Sequence, residues 1–185
     1  MKRIIAIFLL AVLLTGCAAG GDMDRAMAFR AKLLAGKGTS FDARITADYG
    51  DKFYTFAAFC QTDAQGNLTF EVREPETIAG ITGSITQGGG KLTFDGNALA
   101  FDTMADGQIS PVSGPWVLMK ALRSGYLTSC AVEDGNLRLA VDDSYADDAL
   151  HLDVWLDGGD CPIRGEIYWQ GRRILSIDIE NFTIL

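Results

Sequence analysis

The sequence predicts a mainly β fold of the α+β class. The expected form is a strongly curved antiparallel half-barrel sheet of roughly ten strands, wrapped over an N-terminal helix and an apolar mid-chain helix. Three observations carry this expectation. Segment after segment alternates apolar with polar residues, giving each strand one dry and one wet face. Short turns containing Gly or Asp join most of these segments, which makes sequential neighbours antiparallel. The helix over Pro115–Ser124 is apolar around almost its whole circumference, so it needs a sheet to enclose it. A closed up-and-down barrel also explains the alternation but leaves that helix without a home.

In chain order, Asp22 can cap a first helix that runs to about Leu34 and ends at Gly36 and Gly38. Met23, Ala26, Met27, Phe29, Leu33 and Leu34 share one arc of it, with Arg30 inside that arc. Arg30 either packs its stem and extends its head to water or pairs with a carboxylate. Phe41 to Tyr49 alternates strictly, as do Leu68–Val72, Leu137–Val141, Leu150–Leu156 and Leu175–Ile179. Leu92 and Phe94 face Leu99 and Phe101 across Asp95-Gly96-Asn97, a hairpin signal. Phe53 to Cys60 is apolar on both faces, which predicts a covered outer side or a crossing segment. Pro111 and Pro115 open the second helix and Gly125 closes it; Lys120 and Arg123 form its narrow polar edge.

The chain begins Met1-Lys2-Arg3, continues with an apolar run from Ile4 to Leu14, and reaches Leu14-Thr15-Gly16-Cys17. Cations, an apolar core and small residues before a cysteine form a bacterial secretory signal ending in a lipobox. The alternatives are a plain secretory signal with an incidental cysteine or a short membrane anchor. The apolar run is shorter than the roughly 18–20 residues that a spanning helix needs. The expected organisation is a signal peptide at 1–16, the lipidated Cys17 with a short linker at 17–21, and one domain at 22–185. Diacylglycerol on Cys17 would place that domain on the extracytoplasmic face of a bacterial membrane, and two acyl chains suffice for stable anchoring.

Composition narrows the chemistry. The formal net charge of −8 becomes about −10 once Lys2 and Arg3 are removed, which argues against a nucleic-acid partner. Besides Cys17, the cysteines are Cys60, Cys130 and Cys161, so at most one internal disulfide can form. His151 is the only histidine and no C-x-x-C occurs, leaving no metal spacing and no expected cofactor. The acid pairs Asp142-Asp143 and Asp147-Asp148 lack calcium-loop order and read as a solvated turn. Gly88-Gly89-Gly90 precedes a strand rather than a helix, which suits a hairpin loop better than a phosphate cradle. With no G-x-S-x-G elbow, no catalytic constellation remains and a non-enzymatic protein is expected.

Phe41-Asp42-Ala43-Arg44-Ile45, Phe70-Glu71-Val72-Arg73-Glu74-Pro75 with Ile78-Ala79-Gly80-Ile81, Leu92-Thr93-Phe94-Asp95-Gly96 and Ile109-Ser110-Pro111 follow one another in a characteristic order. In that order they resemble the LolA/LolB lipoprotein carriers and the related Gram-positive envelope lipoproteins associated with germination and sporulation. The resemblance implies a lipid or acylated ligand held in the concave face of the half-barrel. Phe56, Phe70, Phe94, Phe101, Trp116, Met119 and Trp169 are the candidate lining, or else ordinary core. The competing expectation is an interaction module of the cell envelope with a filled cavity. Trp155, on a predicted wet face, would then contact the protein partner.

Overall fold

A computed structural model describes residues 18–105 and 108–185 of the chain. A first helix, α1 (Ala18–Ala35), leads into β1 (Gly38–Asp48), β2 (Phe53–Asp63) and β3 (Leu68–Glu74). After a 3-10 turn at Glu76–Ile78 come β4 (Thr82–Thr86), β5 (Gly89–Phe94), β6 (Asn97–Phe101) and the short β7 (Met104–Ala105) and β8 (Gln108–Ile109). A second 3-10 turn, Pro111–Ser113, feeds α2 (Gly114–Ser124). The chain ends with β9 (Tyr126–Glu133), β10 (Asn136–Asp142), β11 (His151–Leu156), β12 (Pro162–Trp169) and β13 (Arg172–Ile184).

Eleven strands form one antiparallel sheet in the order β6-β5-β4-β3-β2-β1-β13-β12-β11-β10-β9, while β7 and β8 pair separately. The expected half-barrel is corrected here: β6 and β9 are free edges, and the sheet is open, neither closed nor strongly curved. Alternation requires a cover over one face of a sheet, and it places no demand on how far that sheet bends. The cover is supplied locally, by α1 packing on β9, β10 and α2, and by α2 packing on β10, β12 and β13.

Register aligns the apolar positions into rows. Leu139, Val154, Gly165, Ile177, Ile45 and Phe56 are successive cross-strand partners on the dry face. Where this row passes under α2, Gly165 has no side chain, and a Cβ there would lie 2.7 Å from Leu118 Cδ1. A Cβ on Gly114 of the helix would likewise lie 3.1 Å from Leu175 Cδ1 and 3.2 Å from Ile177 Cδ1. Glycine on both partners lets α2 rest directly on the strands. Trp116, Val117, Leu118, Met119, Ala121 and Leu122 are all buried there.

Side-chain contacts resolve several local expectations. Arg30 is half-buried, and among the described residues its head is taken up by main-chain carbonyls rather than by a carboxylate. It donates from Nε to the Leu122 carbonyl at 2.8 Å and from Nη2 to the Ala121 carbonyl at 3.3 Å, at the C-terminal end of α2. On the outer face of β2, Phe59 is covered by the Arg73 guanidinium, 4.8 Å from its ring centroid. The β5–β6 hairpin turns on Asp95 and Gly96, both at positive φ (47° and 76°), as a two-residue loop of the primed type demands. Cys60, Cys130 and Cys161 are free thiols, respectively buried, half-buried and exposed.

Candidate functional site

An apolar surface groove lies at the end of the sheet where β2 begins. β2 supplies Phe53, Tyr54 and Phe56, β3 supplies Val72, and β5 supplies Leu92. Two segments outside the sheet complete the groove, one carrying Ile78 and Ile81 and the other Pro111 and Val112. Its volume is about 420 Å³, within the usual range of about 300–1,000 Å³ for small-molecule sites.

Each wall has a local cause. The Ile78–Ile81 segment folds back on β3 because Gly80 N–H donates to the Val72 carbonyl at 2.9 Å and Val72 N–H donates to the Ile81 carbonyl at 2.8 Å. Gly80 sits at φ +85°, a conformation that favours glycine. On the other side, the Tyr49 hydroxyl donates to the Ile109 carbonyl and fixes the chain just before Pro111 and Val112. Burial, with the neighbouring Tyr54 adding, pushes the Tyr49 pKa up to about 12, so the hydroxyl keeps its donor proton through the physiological range. Within the groove Phe53 is 68% exposed, and from Leu92 the apolar surface continues towards the β6 edge through Phe94 at 51% exposure and Leu99 at 64%. Such contiguous exposed apolar groups mark contact surface rather than core.

The residues singled out from the sequence are dispersed. Phe56 is buried and lines the groove. Phe70 is buried and lays its ring over Gly83, where a Cβ would come within 2.5 Å of it. Phe101 covers Gly90 in the same way, and Phe94 is exposed. Met119 is buried beneath α2, and Trp116 is buried with Nε1 donating to the Gly66 carbonyl at 3.1 Å. Trp169 is partly buried against the core. These aromatic groups do not converge on one cavity, and the expected lipid-binding concavity of a half-barrel is corrected by the open sheet and the directly seated α2. The groove residues Phe53, Val72, Ile78, Ile81 and Val112 escaped sequence reasoning. The doubly apolar run Phe53–Cys60 was the signal that could have found them.

Trp155 lies on the opposite, wet face, in the row Arg138–Trp155–Arg164–Asp178–Arg44. It is half-buried, with Nε1 donating to Glu133 Oε2 at 3.1 Å and the Arg164 guanidinium 5.2 Å over its ring. Nearby, His151 Nδ1 lies 2.7 Å from Asp142 Oδ1. Among the described residues no group of His, Cys, Asp or Glu side chains is placed to hold a metal ion. None of the described helices is long and apolar enough to cross a membrane.

Comparison with known proteins adds the location. A family model for the prokaryotic membrane lipoprotein lipid attachment site matches residues 1–18, which include Cys17; Cys17 itself lies outside the described residues. No curated protein matches the chain. Among solved structures, the chain is similar to a LolA superfamily protein from Nitrosomonas europaea, at 10% identity over 86% of this chain and 93% of that one, with a TM-score of 0.45. It is also similar to the Mycobacterium tuberculosis lipoprotein LppX, at 12% identity over 88% of this chain and 93% of that one, with a TM-score of 0.42. LprF from Mycobacterium bovis is similar at 11% identity, over 90% and 97% of the two chains, with a TM-score of 0.41. The lipid attachment site makes this chain an extracytoplasmic protein anchored by lipid to a bacterial membrane.

Proposed function

We infer that this chain is a non-enzymatic envelope lipoprotein of the LolA-like carrier type, attached through Cys17, that seats one apolar segment of cargo in the groove between Phe53 and Val112. The observation that carries this reading is the groove itself: open to the surface and lined almost wholly by apolar side chains, in a protein tethered to a bilayer. The seat is a surface groove at the strand ends. The short motifs resembling LolA/LolB proteins support a carrier role, and narrowing it to the germination-associated branch would rest on those motifs alone.

The test is photo-crosslinking of the lipoprotein in its membrane with a fatty acid bearing a diazirine on its tail. Adducts are expected on Phe53–Phe56 and on Ile78–Ile81. Ile78→Glu, at a half-buried position on a short turn, is expected to lower capture at least tenfold without changing thermal stability by more than a few degrees. Adducts scattered over the wet face, or capture indifferent to Ile78→Glu, would overturn the assignment.

A second reading, docking of another envelope protein, is favoured by Trp155. Tryptophan and arginine together are the commonest anchors of protein interfaces, and here Arg164 already holds the indole in place. Crosslinking in intact cells checks it: a captured protein partner should disappear in Trp155→Ala and survive Ile78→Glu.

A further inference from the structure

The polar edge of α2, Lys120 and Arg123, opens onto a second recess of about 480 Å³. It lies at the opposite end of the strands from the apolar groove, against the β2–β3 turn (Gln65, Asn67) and Gln87 of the β4–β5 turn, with Trp116 at its base. Arg123 is held rigidly there. Its Nη2 donates to the Ala64 carbonyl at 2.7 Å, and its Nε is 3.3 Å from the position that a Gly66 Cβ would take. Gly66, at φ +85°, thus gives the guanidinium a bare stretch of main chain to lie on. Lys120 Nζ stands 5.3 Å above the Trp116 ring, and that indole is itself fixed by its bond to the Gly66 carbonyl.

Neither cation is neutralised. Among the described residues Lys120 and Arg123 make no ion pair, whereas seven arginines elsewhere do. The acid nearest in sequence to the β2–β3 turn, Asp63, spends its carboxylate on that turn: Oδ1 accepts from the Gln65 and Asn67 N–H groups at 2.9 Å, and Oδ2 from Asn67 Nδ2 at 2.8 Å. In a chain of net charge −8, two cations with no ion-pair partner share this recess and make it locally attractive to an anion. A fixed guanidinium, a mobile ammonium and the side-chain amides of Gln65 and Gln87 form a donor set suited to a tetrahedral oxyanion.

We propose that this recess binds a phosphate group, carried either by a lipid headgroup or by free phosphate. The recess lies at the C-terminal end of α1, where Leu34 lines it, about 27 Å along that helix from Ala18 and the lipid attachment site; a headgroup reaches it when α1 lies along the membrane surface, and free phosphate reaches it in any orientation. The site is separate from the apolar groove and stands or falls independently of it.

The experiment uses the full lipoprotein in dodecyl maltoside micelles, which carry no phosphate. Inorganic phosphate is titrated at constant ionic strength while tryptophan fluorescence reports the Lys120–Trp116 contact. A saturable change is expected, at least tenfold weaker in Lys120→Gln and largely retained in Lys120→Arg; the exposed position of Lys120 leaves the fold intact in both. Phosphatidylglycerol mixed into the micelles distinguishes the source. If it produces the same change and blunts the phosphate titration, the ligand is a headgroup; if it leaves the titration untouched, the ligand is free phosphate. No saturable response to either probe, or an equal response in Lys120→Gln and the wild type, overturns the proposal.

Discussion

Leu118→Ala is expected to lower the unfolding free energy by about 3 kcal/mol, within the range of about 2–5 for emptying a buried leucine site. Leu118 is fully buried under α2, and its methyls occupy the space over Gly165 that any side chain there would fill. The void left by alanine is bounded below by the main chain of β12, a strand paired on both sides with β11 and β13. Backbone held in two ladders cannot sink into a cavity, so little of the loss is recovered by relaxation. Urea unfolding measures it: the midpoint should fall with the slope unchanged. A loss below about 1 kcal/mol would mean that α2 is a detachable lid rather than part of the core.

The same helix shows where sequence reasoning stops. Its apolar circumference and the alternation of the strands identified which side chains face inward, and Leu139, Val154 and Ile177 lie buried in one row as the pattern requires. Leu92 and Leu99 alternate just as regularly and are direct cross-strand partners. Leu92 is only half-buried and Leu99 is 64% exposed, because no helix of the described chain packs on β5 and β6. Alternation distinguishes the two faces of a strand but carries no information about what lies over the apolar one. Curvature is equally absent from the pattern. It depends on twist, bulges and close approaches such as Leu118 over Gly165, and none of these leaves a mark on hydrophobic periodicity.

The candidate sites were legible in proportion to how local they are. The lipid attachment site is one contiguous segment and could be read directly. The apolar groove draws on β2, β3, β5 and two turns, so its only local trace was the doubly apolar run beginning at Phe53. The recess beside α2 depends on turn geometry at Gly66 and on Asp63 being occupied elsewhere, relations between residues that alignment along a single chain does not display.

Glu166→Gln is expected to destabilise the protein by about 2 kcal/mol at neutral pH, with the difference vanishing in acid. Glu166 lies on the wet face of β12 with its side chain only 4% exposed, covered by Arg164, Arg173 and Tyr168. Burial by itself raises its pKa. Hydrogen bonds from the Tyr168 hydroxyl and the Arg173 and Arg164 guanidinium groups outweigh that effect, and the carboxyl is held below its ordinary value. A carboxyl held low in the fold contributes stability above its unfolded pKa, and loses it as pH falls through the folded value. The amide keeps the volume but presents only one acceptor oxygen to three donors. Wild-type stability should therefore decline steeply below about pH 4.5, the Glu166→Gln variant should decline less, and the two curves should meet in acid. Chemical unfolding between pH 7 and pH 3 measures both. A gap of constant size across that interval would show that the carboxylate acts through packing alone, with its charge irrelevant to the fold.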